Sequence, residues 1–309
     1  MITIGILIYL ATSLSALLLG GEILHLLRLR PADRATRMLT SLLVGYWMFG
    51  LLVLGLGLTG RVQWWVMAEL ILLLAWAGLR SLDDVVITAI AGVRRGWRAL
   101  TGSPFRAAYG VIALVFLLQL IAALAPPGPT DYDGIAEHLA QPQQYIMAGR
   151  ILPLWHDHHA QFPATVQMLY LLAQALGVPG AAKLFHWGLG VAAVLATLVA
   201  GRRLLGPAAG VYGALILVTT PELAWLMGVA YVDLATIAGL VLALMLLCLW
   251  LRDGDRRDLW LSALMVGVAA ATKMQALALL GVLAAAVLIG AGGRLRRVKL
   301  AAAYAGIAL

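Results

Sequence analysis

Residues 130–159 carry Asp131, Asp133, Glu137, His138, Arg150, His156, Asp157, His158 and His159, which is four of the six histidines and four of the fourteen acids in the chain. Groups that exchange protons or bear charge are therefore concentrated in one polar stretch between very apolar neighbours. Other charges recur at fixed places in the apolar sequence. TTPE (219–222) followed by AYVD (230–233) puts Glu222 and Asp233 at the ends of two neighbouring helices, and ATKMQ (271–275) sets Lys273 in an apolar stretch of over thirty residues. In AAKLFHW, Lys183 and His186 are three apart and share a helical face. Charges this deep are costly and are tolerated where they face a cavity or a partner. For Lys273 the alternative is snorkelling to the interface, and for the loop it is plain solvation. HDHH (156–159) invites a zinc reading, but histidines this close in a loop need further ligands and no second cluster supplies them.

The elements that must position these residues follow from composition. Hydrophobic residues make up 63% of the chain, charged residues 12%, and mean hydropathy is +0.95. Soluble domains are roughly half apolar, so this is a polytopic membrane protein. The net charge of +8 is no nucleic-acid footprint, because the basic residues fall in short clusters between apolar runs. Cys248 is the single cysteine, which excludes a disulfide framework within the chain.

About 20 apolar residues are needed to cross the hydrocarbon core. Nine runs are read as spans: 3–27, 38–59, 62–80, 107–126, 180–201, 207–226, 231–251, 257–272 and 274–291. Assigning 28–37, 80–106, 201–206, 252–258 and 292–299 to the cytoplasm accounts for 18 of the 22 basic residues. That puts the N-terminus and the 127–162 loop on the extracytoplasmic side. The stretch 162–177 then cannot cross fully, and is expected as a short helix at the outer surface or dipping part-way in. Pro126, Pro127 and Pro129 stop the preceding helix, which places Asp131 and Asp133 where it leaves the membrane. From Asp133 onward an amphipathic interfacial helix is expected, with Pro142 able to interrupt it. Residues 81–100 pattern as a second amphipathic helix on the cytoplasmic face, with Arg94, Arg95 and Arg98 near its end. The closing LAAAYAGIAL is about half a crossing, so the natural protein is expected to continue beyond residue 309.

A span ending in Pro, an acidic YD, two interfacial helices, FP…LY.LA..LG…AKL.HW, RRL.G, TTPE, AYVDLA and the lysine of ATK together resemble the bacterial glycosyltransferases of the GT-C superfamily. These polytopic enzymes are similar to protein O-mannosyltransferases and the lipid A aminoarabinose transferase. The resemblance covers roughly residues 105–290. It implies an all-α, polytopic helical membrane protein of about nine to ten transmembrane helices with an interfacial-helix outer loop. Residues 1–104 would form an N-terminal three-helix membrane region with a cytoplasmic amphipathic helix, and 105–309 a GT-C-like core.

The resemblance further implies transfer of a sugar from a polyprenyl-phosphate or pyrophosphate donor, entering laterally from the bilayer, to a glycan, lipid or protein acceptor. The expected place is the periplasmic side of a bacterial inner membrane. The family's essential acid in the first outer loop carries over to Asp133, with Asp131 as the fallback. Many relatives have an Asp-Glu pair there, and here Gly134 stands second. The carboxylate would take the acceptor hydroxyl's proton. Lys273 or Arg150 would balance the departing lipid phosphate, with His138, Lys183 and His186 also placed at the substrate. Glu222 and Asp233 would join Asp133 around a Mg or Mn ion. Two other classes compete. A transporter or flippase predicts inverted repeats, unwound mid-membrane helices and charges near the bilayer centre. A non-catalytic membrane subunit predicts that the acids are scattered in space.

Overall fold

The structure is a computed structural model that describes residues 2–128, 130–290 and 294–309. Every regular element among the described residues is helical. In chain order they are α1 (Ile2–Leu26), α2 (Arg34–Leu58), α3 (Trp64–Ala77), α4 (Leu82–Gly102), α5 (Arg106–Leu124), α6 (Ala140–Ala148), α7 (Thr165–Ala175) and α8 (Ala181–Leu204). Then come α9 (Pro207–Thr219), α10 (Pro221–Leu226), α11 (Asp233–Asp253), α12 (Arg256–Ala270), α13 (Ala276–Gly290) and α14 (Arg294–Ala308).

Five helices, α1, α2, α5, α8 and α11, are long and apolar enough to cross a membrane, which is compatible with a multi-pass membrane protein. The other four expected spans are shorter. α3 has 14 residues, α9 13, and α12 and α13 15 each. At 1.5 Å per residue these reach about 20–23 Å, less than a hydrocarbon core of about 30 Å. The reasons are local. Pro221 has no N–H to give to the Leu217 carbonyl, so the run 207–226 splits into α9 and α10. The runs 257–272 and 274–291 surrender residues 271–275 to a turn that carries Lys273. Pro126 and Pro127 follow the end of α5 as expected, whereas Pro129 and residues 291–293 lie outside the described residues.

Interior packing is tightest where side chains vanish. A Cβ at Gly45 would run into the Ala16 backbone carbonyl, so α1 and α2 approach at backbone distance there. α7 is short, as expected, and is packed inside the protein: Met168, Leu169, Tyr170, Leu171, Leu172 and Ala173 are all fully buried. It packs against α2, α6 and α8. The expected amphipathic helix from Asp133 exists in two pieces, a π-helical turn Gly134–His138 and then α6. Pro142 does not break it, because it sits in the first turn of α6, where the missing N–H has no intrahelical partner to lose. α4 keeps the expected two-faced pattern, with Val86, Ile87, Ile90, Val93 and Trp97 exposed and Thr88 its one buried residue.

The basic clusters gather at one end of the bundle. Arg30 and Arg37 pair with Asp84 at 3.0 and 3.3 Å, Arg203 donates to Thr36 Oγ1 at 3.4 Å, and Arg252 donates to the Arg203 carbonyl at 3.1 Å. α14 packs on α12, where buried Tyr304 Oη and Ser262 Oγ are 2.8 Å apart.

Candidate functional site

A cavity of about 380 Å³, within the usual range of small-molecule sites, opens between the turns after α5, α10 and α12. Asp133, Glu137, His138, Glu222, Asp233 and Lys273 all line it. Each comes from a different local device. Asp133 closes the chain's exit from α5 and its backbone N–H donates to Tyr231 Oη at 3.2 Å. Asp233 begins α11, where a carboxylate meets the positive end of the helix dipole. Lys273 occupies the turn between α12 and α13, and its ammonium donates to Asp233 Oδ1 at 2.5 Å. Thr165 Oγ1 donates to the Ala271 carbonyl at 2.8 Å and so ties that turn to α7.

The hydrogen bonds around His138 have a single direction. The Asp157 carboxylate only accepts, so the Gln141 amide nitrogen donates to it at 2.8 Å. Gln141 Oε1 then accepts from Gln167 Nε2 at 3.3 Å, and Gln167 Nε2 also donates to His138 Nδ1 at 2.8 Å. With Nδ1 accepting, the neutral ring carries its proton on Nε2. Burial holds the imidazole pKa down to about 4 and His186 pushes the same way, against the pull of Asp233 and Asp133. His138 is therefore a neutral, aimed N–H donor at neutral pH. The Tyr231 ring packs edge-on against it at 5.6 Å.

Several expected substrate residues do other work. Lys183 is buried and donates to the carbonyls of Ala122 and Ala125, both at 2.8 Å, which holds the C-terminal end of α5. His186 is fully buried and bridges the Val229 carbonyl at 2.8 Å and the Leu234 N–H at 3.2 Å, so it shapes the turn that presents Tyr231 and Asp233. Neither lines the cavity, and exposed Arg150 does not line it either. Asp131 is buried beneath the loop. Burial raises its pKa, with the nearby Lys183 charge opposing. Its carboxylate fills the space that a side chain at 134 would need, since a Cβ there would overlap Oδ1. That accounts for glycine at the second position of YDG.

Among the described residues, the carboxylates expected around a magnesium or manganese ion are not gathered within 4.8 Å of one another. Asp133, Glu222 and Asp233 share the cavity, but Asp233 is engaged by Lys273. Among the described residues, the group of three whose ligand atoms lie within 4.8 Å of one another is Asp157, His158 and His159. Sequence reasoning gave no part to Tyr231, Gln141 and Gln167. The signal available was weak: a tyrosine inside AYVD, and glutamines interrupting two otherwise apolar helix faces.

No family model, curated protein or solved structure matches the chain.

Proposed function

We propose that this chain is a membrane glycosyltransferase of the GT-C kind, moving a sugar from a polyprenyl-phosphate-linked donor to an acceptor at the extracytoplasmic face. The observation that carries this reading is the convergence of Asp133, His138, Glu222, Asp233 and Lys273 on one cavity, at helix ends and turns. The basic clusters lie elsewhere, on elements joined by the Arg30, Arg37, Arg203 and Arg252 contacts, and by the positive-inside rule this supports an extracytoplasmic cavity.

In the proposed reaction the acceptor hydroxyl oxygen bonds to the anomeric carbon as the bond from that carbon to the lipid phosphate oxygen breaks. The hydroxyl proton goes to the Asp133 carboxylate, and the electron pair leaves on the polyprenyl phosphate. Lys273, held in place by Asp233, faces the departing phosphate, and the His138 Nε2–H supplies a neutral donor to a substrate oxygen. Lys183, His186 and Asp131 act by holding the walls.

The test is release of polyprenyl phosphate by the purified chain in proteoliposomes supplied with a polyprenyl-phosphate sugar and mixed envelope acceptors. Release that requires both donor and protein is expected. Uptake of the intact lipid-linked sugar across the vesicle without cleavage would instead make the protein a flippase.

A further inference from the structure

Asp157, His158 and His159 of the HDHH loop each offer a ligand atom, all within 4.8 Å of one another. Asp157 Oδ1 lies 3.5 Å from His159 Nδ1, near the separation of about 3.3 Å between neighbouring ligand atoms around a tetrahedral zinc ion. Glu137, in the π-helical turn twenty residues upstream of Asp157, brings Oε1 to 3.1 Å from the same nitrogen but does not join the other three within 4.8 Å, so it stands beside the set.

We infer that Asp157, His158 and His159 form a three-ligand binding site for a divalent transition-metal ion of the zinc class at the rim of the cavity, with Glu137 beside it. Two imidazoles and a carboxylate are a donor set suited to zinc, whereas calcium and magnesium prefer oxygen alone. The outer layer of a metal site is present as well. Gln141 Nε2 holds the other oxygen of Asp157 at 2.8 Å, and the His159 backbone N–H donates to Asp157 Oδ1 at 2.9 Å, so the carboxylate is oriented before any ion arrives. The rings of His158 and His159 lie with centroids 3.7 Å apart, which keeps the two imidazoles side by side.

Charge within the cavity points the same way. Asp133, Glu137, Glu222 and Asp233 line it, and its one lining lysine, Lys273, is already paired with Asp233. His159 belongs both to the cavity wall and to the cluster, so a dication there would sit at the edge of a cavity lined by four carboxylates. The competing arrangement is His159 Nδ1 held between Glu137 and Asp157 by hydrogen bonding, which needs no ion.

The site is separable from the transferase reading, because metal binding is measured without turnover. The full chain, purified in detergent and stripped by chelator, is titrated with Zn²⁺ alone. Bound metal is measured after desalting, together with the thermal midpoint. Binding of about one equivalent is expected, with a raised midpoint, weakened at least about tenfold in Asp157→Asn and in His159→Gln. His158→Gln, at an exposed ring, should weaken it without disturbing the fold, and His156→Gln should leave it unchanged. Failure to retain zinc in the wild-type chain, or retention that none of the three cluster substitutions weakens, overturns the assignment.

Discussion

Lys273 Nζ and Asp233 Oδ1 meet at 2.5 Å, joining the turn between α12 and α13 to the first residue of α11. Both side chains are partly exposed, at 37% and 27%, so the pair is worth far less than a fully buried one. A double-mutant cycle on thermal stability should return a coupling on the order of 1 kcal/mol. Its larger effect falls on ligand binding: Lys273→Met should weaken donor affinity by roughly tenfold or more, because the phosphate loses a charged partner. Unchanged donor affinity in that variant would remove Lys273 from the site.

The sidedness of the cavity is open to chemical labelling. Gln143 is exposed on α6 in the same loop. In a Cys248→Ala background, Gln143→Cys should react with a membrane-impermeant maleimide on intact cells. Reaction only after lysis would reverse the topology, and the proposed function with it.

His138 gives a pH signature. Its folded pKa of about 4 lies below the 6.5 of an unfolded histidine, so between these values the unfolded chain binds more protons. The stability it contributes is complete above pH 6.5 and is lost as pH falls towards 4. Going from pH 7 to pH 5, wild type should lose about 1–2 kcal/mol more than His138→Gln. Parallel melting curves for the two proteins across that window would contradict the burial of a neutral ring.

Gly134→Ala should destabilise the chain by about 1–3 kcal/mol, because the new Cβ overlaps the Asp131 carboxylate. The cost should shrink in an Asp131→Ala background, read as thermal midpoints in detergent. An equal cost in both backgrounds would mean that the strain lies elsewhere.

How much of this was legible beforehand depended on the range of the interaction. Helix identity was legible, since runs of apolar residues declare themselves without tertiary context. Run length was a poorer guide: Pro221 and the turn at 271–275 shorten α9, α12 and α13 through local backbone chemistry that hydropathy does not register. Asp133, Glu222, Asp233 and Lys273 stood out because charge is rare in apolar sequence, and they do share a cavity. Lys183 and His186 stood out for the same reason, yet they serve the backbone carbonyls of Ala122, Ala125 and Val229. Charge in an apolar run signals a buried polar partner, and sequence alone does not tell a ligand from a peptide carbonyl. Glu137 and HDHH meet only through the fold of the loop, and no local pattern announces that.

The most direct measurement is sugar transfer by Asp133→Asn beside wild type, in the same proteoliposomes and at saturating donor. The substitution keeps side-chain size and removes the base, while the Asp133 backbone bond to Tyr231 is untouched. Transfer should fall at least about 10²-fold with donor affinity and thermal midpoint nearly unchanged. Equal rates for the two proteins would contradict the assignment of Asp133 as the base.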